Sequence, residues 1–229
     1  MSDPIHWDDF ESGDVSRWAG ETDLGGNLDI HTTAYQGTYG LRINVSGTAA
    51  YLTDTISPDA AVKHIRFKLK LPAINVVPQA VYFRPVVTTN ATNCRLYIRK
   101  NPAAFWECYL ESHGTNSGAY VQATAALTDD SWQDIDLRLT TAASGIDSNV
   151  TWNGTEVVAI TPANSNASDS LRFGNDGAGN WGEYLYMDNL QIHDGIETSD
   201  YFNPPDDSVK GLAARASNTR TGVRNPLNH

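Results

Sequence analysis

The stretch that most constrains this chain is Leu171 to Ile192, LRFGNDGAGNWGEYLYMDNLQI. A short apolar run, a loop of Gly, Asn and Asp, and a long aromatic segment predict two strands around a turn-rich excursion, the second much the longer. Side chains alternate along a strand, which puts Tyr184, Tyr186, Asp188, Leu190 and Ile192 on one face. Asp188 then stands in an apolar row. A buried carboxylate costs several kcal/mol unless a cation, a metal or several N–H donors meet it. The expected partner strand lies at the other end of the chain, in His6-Trp7-Asp8-Asp9-Phe10-Glu11, so that the first and last strands seal a sandwich.

Strand signals recur along the rest of the chain. Leu41 to Val45 alternates cleanly, and Ala49 to Ile56 follows after Ser46-Gly47-Thr48, which predicts a hairpin. Ile65, Phe67, Leu69 and Leu71 alternate with Arg66, Lys68 and Lys70, a half-buried strand with a basic outer face. Val81 to Val87 is a further strand, in which Pro85 marks an edge or a bulge. From Trp132 onward Ile135, Leu137 and Leu139 face in. Asn153-Gly154 then sits between two strands as a type I′ hairpin turn. Helix-period apolar stripes are nearly absent, so the chain reads as all-β, with about ten short strands in a sandwich or barrel.

One hairpin can be read to its register. With Cys94 to Arg99 antiparallel to Phe105 to Leu110, one face pairs Cys94 with Cys108, Leu96 with Trp106 and Ile98 with Ala104. The other pairs Arg95 with Glu107 and Tyr97 with Phe105, with Tyr109 on the same face. The two cysteines are then a disulfide or two reduced core thiols.

At 229 residues and 40% hydrophobic side chains the chain holds one sizeable core. Lys and Arg number 16 against 27 Asp and Glu, a net charge of −11 that argues against nucleic-acid binding by the body. The charge is unevenly placed. After Ser208 there are Lys210, Arg215, Arg220 and Arg224 and no acid, so this end is +4 and the remainder −15. Residues 1–195 are expected to form the sandwich and 196–229 an extended basic arm. Apart from Leu212, Val223 and Leu227, Ser208 to His229 has little apolar area to bury, so any order there has to come from a partner surface. The opening MSDPIHWDDF has neither a basic start nor a leader-length apolar core, so no secretory leader is predicted, and no window approaches the ~18 apolar residues of a membrane span.

Taken together, DDFESGDVSRW, YQGTYGLRINV, WQDIDLRL, WNGTEV, LRFG and YLYMDNLQI resemble the concanavalin A-like, laminin-G-like jelly-roll modules over roughly residues 6–193. Carbohydrate-binding modules of the related jelly-roll type share the layout. The resemblance implies two stacked antiparallel sheets, frequent glycan binding and frequently a structural calcium.

Three sets of residues follow as candidates. Tyr97, Phe105 and Tyr109, with Arg95, Arg99 and Glu107 around them and Trp181 in its own loop, are candidates for contact with glycan or protein, since flat aromatic faces stack on sugar rings. The alternative is a face covered by a loop or another subunit. Asp9, Glu11 and Asp188 are candidates for a structural Ca²⁺ that ties the termini together. Against it, Asp8 and Asp9 are solvated turn residues and Asp188 accepts backbone hydrogen bonds. Lys210, Arg215, Arg220 and Arg224 are candidates for fixing the arm on an acidic surface of another subunit, self or capsid-like.

Catalytic motifs are sparse. The Glu-x-Asp-x-x-Glu strand of the glucanases with this fold does not occur. Gln191-Ile192-His193 matches one short motif of the jelly-roll alginate lyases without their arginine-rich partner motif, and its place at the domain's end reads as coincidence. The leading expectation is a non-enzymatic structural or display protein, a surface, decoration or fibre-associated component of a virus particle. The runner-up is an extracellular carbohydrate-binding adhesin module, and a polysaccharide-degrading enzyme is third.

Overall fold

The computed structural model describes residues 6–23, 25–55, 62–74, 82–89, 94–101, 103–112, 114–122, 129–164, 170–176 and 180–195, with the backbone alone for 82–89, 176, 180, 181 and 194. All of these lie in the unit Met1–Ser199. The arm at 196–229, with Lys210, Arg215, Arg220 and Arg224, lies outside the described residues.

The strands run in chain order β1 (His6–Asp8), β2 (Gly20–Asp23), β3 (Leu28–His31), β4 (Gly40–Ser46), β5 (Ala49–Thr55) and β6 (Val62–Lys70). Next come β7 (Tyr82–Thr89), β8 (Cys94–Lys100), β9 (Trp106–Ser112), β10 (Thr115–Asn116), β11 (Val121–Gln122) and β12 (Trp132–Thr140). The last are β13 (Ser148–Trp152), β14 (Thr155–Ile160), β15 (Ser170–Asp176) and β16 (Asn180–Asp194). They form two antiparallel sheets. Sheet A has the order β14-β13-β12-β6-β16-β4-β3, with β1 also on β16; sheet B has the order β10-β9-β8-β7-β15-β5-β2, with β11 also on β9. This is the expected all-β jelly-roll sandwich, and its first and last strands do pair: His6 faces Ile192 and Asp8 faces Leu190.

The core lies between the sheets and comes from alternation. Ile65, Phe67 and Leu69 on β6, Ile135 and Leu137 on β12, and Leu96 and Ile98 on β8 are fully buried. Each such side chain stabilises the fold by about 1.5–3 kcal/mol relative to exposure. Phe173 bridges two elements: its ring stands edge-on to Phe67 at 5.2 Å and stacks on Trp18 at 5.8 Å. At one end a chain of small polar groups crosses between the sheets. Cys94 Sγ lies 3.6 Å from Ser112 Oγ, which lies 2.8 Å from Ser148 Oγ, itself 3.1 Å from Thr140 Oγ1. Buried hydroxyls need such partners.

Four sequence expectations are changed or narrowed. β4 and β5 do not form a hairpin: β4 pairs with β3 and β16 in sheet A, β5 with β15 and β2 in sheet B, and Ser46-Gly47-Thr48 carries the chain across. Alternation within each strand was legible; the change of sheet was not. Pro85 lies in an interior strand, and the β7–β8 register shifts between Phe83 and Val86, so it marks a bulge.

The third change is in β16. A bulge between Asp188 and Gln191, with Asn189 at φ 48°, switches the faces midway. Leu185, Met187, Leu190 and Ile192 are core, while Tyr184, Tyr186, Asp188, Gln191 and His193 line the outer face of sheet A. The fourth is the β8–β9 register, described with the site it positions. The Asn153-Gly154 turn is as expected, with φ of 47° and 78°.

Candidate functional site

The β8–β9 hairpin carries the aromatic face, and its register is set by its turn. Asn101 Oδ1 accepts the N–H groups of Ala103 and Phe105, each at 3.0 Å, and the Asn101 N–H bonds Phe105 O at 2.8 Å. Ala104 sits at φ 67°. The turn is therefore centred on Ala103, two residues further along than the pairing of Ile98 with Ala104 implies. Both strands keep their faces, but every partner moves: Tyr97 faces Tyr109, Arg95 faces Glu111 and Arg99 faces Glu107. Phe105 is therefore not opposite Tyr97. It stands at the hairpin tip, 49% exposed.

The same shift separates the cysteines. Cys108 faces Ile98, and Cys94 lies four residues further along β8, about 13 Å at strand rise. Neither thiol is in a disulfide, and both are buried. Burial pushes the Cys108 thiol up to about 12.

On the outer face of sheet B the tyrosines form a row. Tyr97 and Tyr109 meet edge to face, centroids 5.4 Å apart, and Tyr120, just before β11, lies 5.4 Å beyond Tyr109. Ion pairs bracket them. Arg99 Nε donates to Glu107 Oε2 at 2.8 Å, and its guanidinium lies 3.7 Å from the Tyr120 ring centroid. Arg95 Nη1 donates to Glu111 Oε2 at 3.1 Å, where the Tyr97 hydroxyl also donates at 3.3 Å. Asn101 Nδ2 donates to Glu107 Oε1 at 2.6 Å and so couples the turn to the face. Tyr120 and Glu111 escaped the sequence reading, because a correct register is needed to place them. Trp181 belongs to β16, and its side chain is outside the described residues.

Near the termini the three candidate metal ligands are not gathered: no group of three or more His, Cys, Asp or Glu side chains comes together among the described residues. Asp9 accepts the Glu11 N–H at 3.5 Å and lies 3.8 Å from Arg17. Glu11 and Asp188 do converge, on one loop. Glu11 Oε1 accepts the N–H groups of Thr38 and Tyr39, each at 2.8 Å, and Asp188 Oδ2 those of Tyr35 at 2.7 Å and Gln36 at 3.4 Å. Asp188 Oδ1 accepts the Asn189 N–H at 2.7 Å. Burial pushes the Asp188 carboxyl up to about 7 against these bonds, and the Glu11 charge adds to the rise. Asp8, read from sequence as solvated, is buried: it accepts the Phe10 N–H and the Trp18 indole N–H, both at 2.8 Å.

The outer face of sheet A is polar and crowded. Lys68 pairs with Asp134, and Arg66 and His64 both reach Asp136. Gln191 and His193 stand opposite Arg66 and His64, on a stretch of β16 with β6 on one side and β1 on the other. Their motif is thus interior to a sheet.

No family model and no curated relative matches the sequence. Solved structures match in fold. The cellulose induced protein Cip1 is similar at 14% identity and TM-score 0.59, over 85% of this chain and 100% of that one. The receptor binding domain of botulinum neurotoxin type G gives 14% and 0.59, over 86% of this chain and 49% of that one. The alginate lyase of family PL-14 from the marine Aplysia kurodai gives 12% and 0.57, over 85% and 100%. These likenesses establish a β-sandwich fold of the jelly-roll type.

Proposed function

We propose that this chain is a non-catalytic carbohydrate-binding module whose platform is the Tyr97, Tyr109 and Tyr120 row on sheet B. The observation that carries this reading is three tyrosines side by side across neighbouring chain segments, facing away from the core and framed by two closed ion pairs. Ring faces take the apolar face of a pyranose, and the framing carboxylates and guanidinium groups exchange hydrogen bonds with its hydroxyls. Because Arg95 and Arg99 are each neutralised by a glutamate, the platform suits uncharged sugars. The likeness in fold to a neurotoxin receptor binding domain supports the reading in kind. Titration calorimetry with cello-, xylo-, manno- and malto-oligosaccharides tests it: at least one series binds, and Tyr97→Ser with Tyr109→Ser abolishes binding while circular dichroism is unchanged. Binding by none of them, or unchanged binding by the double variant, overturns it.

Two finer features belong to the same proposal. The first is placement on a virion surface as a display or fibre-associated component, supported by the contrast between a −15 body and a +4 end. The second is a structural Ca²⁺. Asp9 falls out of the ligand set, but Glu11 and Asp188 fit a hard cation, because both carboxylates meet one loop and the Glu11 charge adds to the rise of the Asp188 carboxyl, which a positive charge would relieve. A second function is favoured by Gln191, His193, His64, Arg66 and Asp136 sharing one face, which keeps polysaccharide degradation open to assay. Appearance of unsaturated products from alginate would replace the non-catalytic reading.

A further inference from the structure

We propose that the outer face of sheet A carries a second saccharide site, distinct from the tyrosine row and selective for a sugar bearing one anionic group. Its basis is a row of five residues in direct register across five strands: Trp132, Lys70, Tyr186, Arg42 and Asp29. The cations of this row differ in one respect. Arg42 is closed off by Asp29, with Nε to Oδ1 at 2.8 Å and Nη2 to Oδ2 at 2.5 Å. Lys68, one row along, is paired with Asp134 and lies 4.1 Å from the Tyr35 ring centroid. Lys70 has no carboxylate partner among the described residues, and its Nζ lies 5.8 Å from the Tyr186 ring.

A half-buried ammonium therefore stands near Tyr186, with Trp132 as the register partner on the other side, on the outer face of sheet A. Tyr184 and Tyr35, 42% and 45% exposed, are aromatic neighbours on the same face: Arg42 lies over Tyr184 at 4.6 Å, and Tyr35 meets Trp132 edge-on at 6.0 Å. Aromatic rings here offer faces to pyranose C–H groups, and Lys70 offers three N–H donors to one anionic oxygen group. Lysine acts as a point charge without the planar fork of arginine, so a carboxylate and a sulfate ester satisfy it equally. The ligand is limited to a single charge. Asp134 and Asp188 occupy the adjacent row, and the whole chain is at −11, so a polyanion would meet repulsion beside Lys70.

This site stands on Lys70 and its neighbours and does not depend on sheet B. Calorimetry on the full chain compares sialyllactose, sulfated lactose and glucuronate-capped xylotriose with their neutral parents. At least one acidic form binds about tenfold more tightly than its parent, the scale of one charge-assisted hydrogen-bonded contact, and the preference weakens as salt rises. Lys70→Met removes the preference, Lys70→Arg retains it, and the Tyr97→Ser, Tyr109→Ser variant leaves it intact. Equal binding of acidic and neutral forms, or a preference that survives Lys70→Met, overturns the proposal. Displacement of the acidic sugar by a single-stranded DNA decamer at the same concentration would give the face to nucleic acid and overturn it as well. Loss of neutral-sugar binding in the sheet B variant alone bears only on the tyrosine row.

Discussion

Asp188 and Glu11 come from strands and turns at opposite ends of the sequence and hold the two halves of one loop, Asp188 at Tyr35 and Gln36, Glu11 at Thr38 and Tyr39. The arrangement has a definite pH signature. The Asp188 carboxyl is raised from 3.8 to about 7, so between those values the folded state binds a proton that the unfolded state has released. Its contribution to stability is complete below about pH 4 and is lost as pH rises through about 7, with a slope of at most about 1.4 kcal/mol per unit. Asp8, also raised by burial, acts in the same direction. Urea midpoints of the protein and of Asp188→Asn across this window isolate the effect: the difference should decline toward neutral pH. Adding Ca²⁺ should reverse the trend by holding the carboxylate ionised, and a hundredfold excess over Kd should add about 2.7 kcal/mol. A decline unchanged by Ca²⁺ and chelator would leave Glu11 and Asp188 as a purely hydrogen-bonded clasp.

What the sequence made legible was local. Alternation in β6, β12 and β8 named the core residues correctly, and Asn153-Gly154 announced its hairpin, because both signals are carried by the residues concerned. What stayed hidden depended on where a bulge, a turn or a distant partner falls. The bulge at Asn189 moves Leu190 and Ile192 from the face of Asp188 to the opposite one, and nothing in MDNLQ specifies it. The Asn101 turn shifts the aromatic partners without altering which face they occupy. The face was therefore readable while Tyr120 was not. Asp8 was misread for a related reason: its burial depends on Trp18, ten residues away, reaching back to it.

The hairpin turn gives a direct test of the site's architecture. Asn101 satisfies two N–H groups with its amide oxygen and donates to Glu107. Asn101→Ala should cost about 0.5–1.5 kcal/mol, since it removes two turn hydrogen bonds whose exposed N–H donors water can then meet. Sugar binding on sheet B should weaken with it, because Glu107 then loses a partner that orients it toward Arg99. Phe105→Ser, at the exposed tip, should change stability by no more than about 0.5 kcal/mol. The opposite ranking would mean that the tip, and not the Asn101 bonds, fixes the register.

The register also fixes the chemistry of the thiols. Cys94 and Cys108 are buried on different rungs of the hairpin, and Cys108 is pushed to about 12, far from any thiolate at neutral pH. Intact protein should resist a soluble disulfide reagent and release two equivalents of thiol once unfolded in denaturant. An intramolecular disulfide found by mass spectrometry after preparation under non-reducing conditions would require the Cys94–Cys108 pairing and overturn this hairpin.

The last prediction concerns the basic end of the chain. Ser208 to His229 contains Lys210, Arg215, Arg220 and Arg224, no acid and few apolar side chains, so it lacks the area to offset its own ordering entropy. The residues before it sum to −15, and a neighbouring copy or an acidic shell offers carboxylates that arginine binds bidentately. The core found among the described residues lies between Phe10 and Ile192. Deleting Ser208 to His229 should leave the melting temperature within a few degrees of the intact protein. It should also abolish salt-sensitive self-association, or co-sedimentation with capsid-like particles where those are the partner. Replacing Arg215, Arg220 and Arg224 with Gln should have the same effect on association at full length, separating charge from chain length. Normal assembly of the truncated protein, or a fall in melting temperature comparable to the loss of a core strand, would refute the arm.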